Sequence, residues 1–197
     1  MPEPVQTTAQ ICSVSEPGDK AGALLRDGQP PREFLNLLVE KALFPDAVRF
    51  LAHALPKREA VWWAWVCARR AAGAEPPPKI KASLEATEKW IAQPTDDNRR
   101  AAMAAAQTAG LDTPAGCAGA AAFFSGGSVA PPNVQAVAPG PHLTGKMVAG
   151  AVMLSGVATE PEKAPEKYKT SLDQGLNVAD RIKLWEKEGD RHGNAGG

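Results

Sequence analysis

The sequence contains few of the side chains from which catalytic and metal sites are usually built. Among its 197 residues there are three histidines, three cysteines and one tyrosine. Cys12, Cys67 and Cys117 lie far apart and form no C-x-x-C pair, so they predict neither a disulfide framework nor a zinc site. We therefore expect three unpaired thiols in a reducing compartment, with no metal and no cofactor.

The chain also lacks an excess of charge of either sign. It carries 22 Lys and Arg residues against 22 Asp and Glu residues. Nonspecific binding to nucleic acid phosphates requires a cationic excess on at least one face of a protein. The balance of charge predicts that nucleic acid is not a partner.

Long apolar runs are missing as well. The runs 115–124 and 147–158 are both shorter than the ~20 residues that a membrane-spanning helix needs. The first eight residues lack the basic and apolar regions of a signal peptide. We expect no membrane insertion and a cytoplasmic location.

The middle of the chain is almost free of charge. Between residues 101 and 158 the only charged side chains are Asp112 and Lys146. Such a stretch has to be buried, either in the protein's own core or against a partner. We predict that its two apolar runs form core helices, and the sequence leaves open whether the rest is core or interface.

Apolar residues recur with the period of an α-helix along most of the chain, and no segment alternates as a half-buried strand does. One helix, starting near Pro56, has Val61, Trp62, Trp65 and Val66 on one face and is apolar over more than half its circumference, which predicts a central position. The fold class is therefore all-α. We expect a compact array of about eight short antiparallel helices, arranged as an orthogonal bundle or like a solenoid.

Composition divides the chain into five expected segments. They are an irregular N-terminal arm (1–18), an all-α helical domain (19–158), a charged linker containing proline (159–171), a C-terminal amphipathic helix (172–189) and a disordered tail (190–197).

The C-terminal helix is the main candidate for binding a partner. Its apolar stripe consists of Leu172, Leu176, Ala179, Ile182 and Trp185. Because the preceding linker tethers this helix, two arrangements are open: the stripe packs back on its own domain, or it docks in a groove of another protein.

Motifs for phosphate loops, dinucleotide binding, serine hydrolysis and zincins are absent. A weaker candidate pocket consists of Ser125, Gly126, Gly127 and His142, beside the Trp62–Trp65 helix. The glycines could present backbone N–H groups to an anion, although Gly-Gly after a helix more commonly ends it. His142 is expected to cap the next helix, and His53 to be structural.

Four segments resemble a known family. They are PREFL (31–35), FPDAVRFLAHALPKREAVWWAW (44–65), AFFSGGS (122–128) and PHLT (141–144). Together they resemble an uncharacterised bacterial family of unknown function over roughly residues 10–157. Some members of that family are encoded near type VI secretion genes, which implies an accessory or adaptor role. The resemblance supplies no catalytic residue.

Two functions remain open at this point. The first is a non-catalytic cytoplasmic adaptor or accessory protein that binds another protein, associated with type VI secretion. The second is a small-molecule sensor or enzyme with a pocket near His142, Ser125 and the Trp62–Trp65 helix. A deep polar-lined cavity at those residues would favour the second function, and a solid apolar core there would count against it. The sequence does not predict an oligomeric state.

Overall fold

The structure is a computed structural model that describes residues 6–186. Within that range the chain forms ten α-helices and no strand, which confirms the all-α prediction. The helices are α1 Thr8–Ser15, α2 Asp19–Gly22, α3 Pro31–Glu40, α4 Phe44–Ala54, α5 Lys57–Ala72, α6 Pro78–Ala92, α7 Asp96–Ala109, α8 Pro114–Phe124, α9 Leu143–Val157 and α10 Ala164–Arg181, the last preceded by a 3-10 turn, Pro161–Lys163.

Proline and threonine mark several of the helix starts. Pro31, Pro78 and Pro114 open α3, α6 and α8, where the missing N–H would have no partner inside the helix. The Thr95 and Thr113 hydroxyls accept hydrogen bonds from first-turn amides of α7 and α8. Local sequence signals therefore account for where these helices begin.

The uncharged middle of the chain supplies the centre of the core. Helix α8 is buried at every position from Ala115 to Phe123 and packs against α7 and α9. Gly119 allows this close packing, because a Cβ there would lie 2.9 Å from the Ala102 carbonyl oxygen of α7. The predicted core helices 115–124 and 147–158 correspond to α8 and α9, whereas the loop between them is largely exposed.

The face of α5 that enters the core differs from the prediction. Trp63 is fully buried, and its indole N–H donates to the Ser171 carbonyl of α10 at 2.7 Å. Trp62, predicted to face the core, is 37% exposed. Helix α10 accounts for this difference, because it packs on α5 and covers Trp63. The contact is close at Gly175, where an added Cβ would lie 2.8 Å from the Trp63 ring.

Part of the segment predicted to be an irregular arm is helical. Thr7 and Gln10 form a capping box that starts α1, and Ile11 is fully buried against the core. The Thr-x-x-Gln spacing is the sequence signal for this helix start.

The predicted linker 159–171 is also largely structured. Pro165 stands in the first turn of α10, so the helix begins at Ala164 and ends at Arg181. The predicted tail 190–197 and the last residues of the predicted helix 172–189 lie outside the described residues. Helix α10 packs on its own domain, which is the first of the two arrangements that the sequence left open.

Candidate functional site

A cleft of about 630 Å³ lies among α1, the corner between α4 and α5, the start of α9 and the segment that follows α10. We call it the terminal cleft. Its polar lining comprises Gln6, Gln10, His53, Lys57, Glu59, His142 and Thr144, and its apolar lining includes Val14, Leu55, Ile182 and Leu184. The volume lies within the range of about 300–1,000 Å³ that is typical of small-molecule sites.

A sharp corner brings the α4 and α5 side chains together. Leu55 leaves α4 with extended backbone, and Pro56 stands immediately before α5. His53 in the last turn of α4 and Lys57 in the first turn of α5 therefore line the same wall. The Lys57 ammonium donates to the Ser125 carbonyl at 2.9 Å.

His53 has one satisfied and one unsatisfied ring nitrogen. Its Nδ1 lies 2.9 Å from the Arg49 carbonyl oxygen, and because a carbonyl only accepts, Nδ1 carries the proton. Its Nε2 is buried and has no hydrogen-bond partner within residues 6–186.

Burial lowers the pKa of His53 below its ordinary value, and the nearby charges of His142 and Lys146 lower it further. The carbonyls of Arg49 and His142 act in the opposite direction, although only the Arg49 contact has hydrogen-bond geometry. The ring is therefore neutral near pH 7 and presents a lone pair at Nε2.

Thr144, the second residue of α9, lines the same cleft as His53. It is 3% exposed, and its hydroxyl has no hydrogen-bond partner in the described part of the chain. Ser155 in the same helix differs, because its hydroxyl bonds to the Ala151 carbonyl one turn back. Thr144 stands in the first turn of α9, so the residue four positions before it lies outside the helix and offers no helical carbonyl to its hydroxyl.

Gly145 completes this wall. A Cβ on Gly145 would lie 2.5 Å from His53 Cδ2, so the imidazole of α4 packs directly against the first turn of α9. His142 stands at the N-cap position, but its side chain is exposed and makes no capping hydrogen bond within residues 6–186. Its expected capping role is therefore wrong.

The four residues of the predicted pocket are only partly brought together. His142 lines the terminal cleft, whereas Ser125, Gly126 and Gly127 form the turn after α8 and touch the cleft only through the bond from Lys57 to Ser125. Gly127 has a φ of +66°, which suits a chain reversal after a helix.

Two arginines that the sequence analysis did not single out for the site organise this turn. Arg99 is 4% exposed and donates to Asp96 and to the Phe123 and Ser128 carbonyls. Arg100 also donates to Asp96 and Ser128. These bonds lower the pKa of Asp96. Asp96 precedes these arginines by three and four residues, and this spacing of opposite charges on a helix was the sequence signal for their ion pairs.

The stripe predicted to bind a partner is a contact with the protein's own core. Leu172 and Ala179 are fully buried, and Leu176, Ile182 and Trp185 are half-buried against the same core. Ile182 also lines the terminal cleft.

The three cysteines are unpaired, as predicted, and all are buried. Burial raises the pKa of each thiol, so these groups are poor nucleophiles near neutral pH. Residues 6–186 contain no group of three or more His, Cys, Asp and Glu side chains placed to hold a metal ion.

None of the helices within residues 6–186 combines the length and the apolar character needed to cross a membrane.

Comparison with known proteins gives one match. No curated protein and no solved structure is significantly similar to the chain. The model of a family of unknown function (DUF6931) matches residues 34–179. The matched region contains His53, Lys57, Thr144 and Gly145 but not α1 or the segment after α10. Because the match covers most of the sequence, the chain belongs to the family of unknown function DUF6931.

Proposed function

We propose that the protein is a non-catalytic sensor that binds a small molecule in the terminal cleft. The observation that carries this proposal is the pair of buried polar atoms in the cleft wall, Thr144 Oγ1 and His53 Nε2, which have no partner within residues 6–186. A buried polar group without a hydrogen bond costs about 1–3 kcal/mol. A ligand that supplies the missing partners recovers that free energy, which favours the bound state.

The surroundings of His53 support binding over catalysis. A general base is commonly oriented by a carboxylate and hydrogen-bonded to a nucleophile. The proton on Nδ1 of His53 is bonded to a backbone carbonyl instead. In the neutral ring Nε2 is therefore the acceptor nitrogen.

A fragment screen of the full chain by thermal shift tests the proposal. Fragments that stabilise the wild type should lose affinity at least tenfold in Thr144→Val, which removes the hydroxyl and keeps the shape. Thr108→Val is the matched control, because Thr108 is exposed and its hydroxyl bonds within α7. If no fragment distinguishes the two variants, the terminal cleft is not the binding site.

A different observation supports a second function, that of a protein-binding adaptor. In the loop between α8 and α9, Val134 is 58% and Val137 is 52% exposed. The base of the loop is held by hydrogen bonds to Ser128 and by the bond from Val129 N–H to the Val137 carbonyl. Exposed apolar side chains on an ordered loop suit a protein partner.

Together with the resemblance to proteins encoded near type VI secretion genes, this loop supports the proposal of a cytoplasmic accessory protein in a bacterial secretion machine. Affinity purification of the full chain from bacterial cells that contain such a machine tests it. A Val134→Asp, Val137→Asp variant should lose a secretion component that the wild type retains. Val157→Asp is the matched control, because Val157 is 43% exposed at the end of α9. Equal recovery of that component by all three proteins, or by none, contradicts the adaptor function.

A further inference from the structure

We propose that the chemical group recognised in the terminal cleft is an oxyanion, that is, a carboxylate, sulfate or phosphate group held at the N-terminus of α9. This inference rests on the proposed small-molecule function and specifies the ligand class.

The N-terminus of α9 offers backbone donors to the cleft. This helix has 15 residues, and no side chain in the described part of the protein caps its N-terminus. The Leu143 amide bonds to the Gly140 carbonyl and the Lys146 amide to the His142 carbonyl, whereas the Thr144 and Gly145 amides have no acceptor within residues 6–186. Both residues line the cleft. First-turn amides and the positive end of the helix dipole attract an anion.

The Thr144 hydroxyl adds a side-chain donor to the backbone amides at this end of α9. It is buried, belongs to a residue that lines the cleft, and has no hydrogen-bond partner among the residues that the structure describes. A hydroxyl can donate to an anionic oxygen. Two amides and one hydroxyl on consecutive residues thus provide three donors for a single oxyanion.

Charged side chains also lie near this end of the cleft. Lys57 lines the cleft, its ammonium bonds to a carbonyl, and it takes part in none of the ion pairs among the described residues. The Lys146 Nζ lies 3.9 Å from Glu16 Oε1 at the surface. Glu59 is the acidic residue in the lining. The helix end and Lys57 together favour an anion at Thr144 despite Glu59.

His53 adds a dependence on pH. The charges that act on its ring are those of His142 and Lys146 at the start of α9. Lys57 and Glu59 of α5 line the same cleft, and Arg49 pairs with Asp46 within α4. An oxyanion placed beside Nε2 favours the protonated ring, which then donates to the anion. Binding therefore takes up a proton, and an anion of constant charge binds more tightly as the pH falls.

Calorimetric titration of the full chain with sodium sulfate tests the inference. Sulfate keeps its charge across the range used, about pH 5.5 to about pH 8, so any change in affinity reports a group on the protein. At constant ionic strength we expect wild-type affinity at least tenfold higher at the lower pH. His53→Gln should remove that dependence.

Two substitutions at Thr144 separate binding from folding. Thr144→Val removes an unpartnered buried hydroxyl and should fold at least as stably as the wild type, yet bind sulfate at least tenfold more weakly. Thr144→Ser keeps the hydroxyl and should retain binding. Equal sulfate affinity of Thr144→Val and the Thr108→Val control would overturn the inference.

The fragment screen distinguishes the two levels of the proposal. If neutral fragments bind in a Thr144-dependent way while sulfate, inorganic phosphate and acetate do not bind, the ligand class is wrong and the small-molecule function stands. If neither neutral fragments nor these anions bind, both are wrong.

Discussion

At the scale of single residues, the terminal cleft depends on the contact between Gly145 and His53. Because Gly145 has no side chain, the His53 imidazole lies against the first turn of α9. A Cβ added to Gly145 would be only 2.5 Å from the ring. The same contact brings the His53 and Thr144 polar atoms into one wall. The sequence analysis assigned His142 to a pocket but not His53 or Thr144. No local pattern connects His53 with Thr144, because the two residues lie on helices far apart in the chain.

We expect Gly145→Ala to destabilise the protein. Helix propensity alone would favour alanine by about 1 kcal/mol, but overpacking of a filled site costs about 1–3 kcal/mol, so the free energy of unfolding should fall by up to about 2 kcal/mol. Urea denaturation measures it. Gly22→Ala is the control, since Gly22 is helical and a Cβ added to it would meet no atom of the described residues within 4 Å outside its own helix backbone and chain neighbours. Equal stability of the two variants would mean that the imidazole does not pack against α9.

The lowered pKa of His53 makes a prediction for acid stability. The unfolded state binds a proton near the ordinary pKa of 6.5, and the folded state only at lower pH. Stability from this group is therefore complete above about pH 6.5 and is lost as the pH falls through the folded pKa.

Thermal unfolding between about pH 7.5 and about pH 5 checks this sign. The wild-type melting temperature should fall more on acidification than that of His53→Gln, with His142→Gln as the control because the His142 ring is exposed. A steeper fall in His53→Gln than in the wild type would contradict the neutral, buried ring.

At the scale of elements, the packing of α10 on α5 explains where sequence reasoning succeeded and failed. The helix starts at proline and threonine were predictable because capping is a local property. The core face of α5 was not, because tryptophans occur on both sides and only the position of α10 selects Trp63. Helix α10 itself was predicted eight residues too late, since 159–171 has the charge and proline content of a linker and Pro165 belongs to a first helical turn.

We expect Trp63→Ala to lower the free energy of unfolding by about 3–5 kcal/mol, because it removes a fully buried ring. It also leaves the Ser171 carbonyl without its donor. Trp62→Ala, at an exposed position of the same helix, should cost less than about 1 kcal/mol. Chemical denaturation of both variants gives the comparison, and a larger loss in Trp62→Ala would show that α10 does not cover Trp63.

At the scale of the whole molecule, charge and burial divide the uncharged segment into two parts. Its helices, α8 and α9, form the core, and the loop between them carries exposed valines. The all-α class followed from periodicity and composition alone. The terminal cleft did not, since its walls come from α1, α4, α5, α9 and the segment after α10, and their meeting depends on the tertiary fold.

The central claim is that the terminal cleft binds a ligand at His53 and Thr144. The most direct measurement is nitrogen-15 NMR of the imidazole rings, since the chain has three histidines and His→Gln variants assign them. We predict a neutral His53 ring at neutral pH with its proton on Nδ1, and a shift of its Nε2 resonance when sulfate is added at lower pH. A His53 signal that titrates at the ordinary histidine pKa and does not respond to sulfate or to any stabilising fragment would contradict the account.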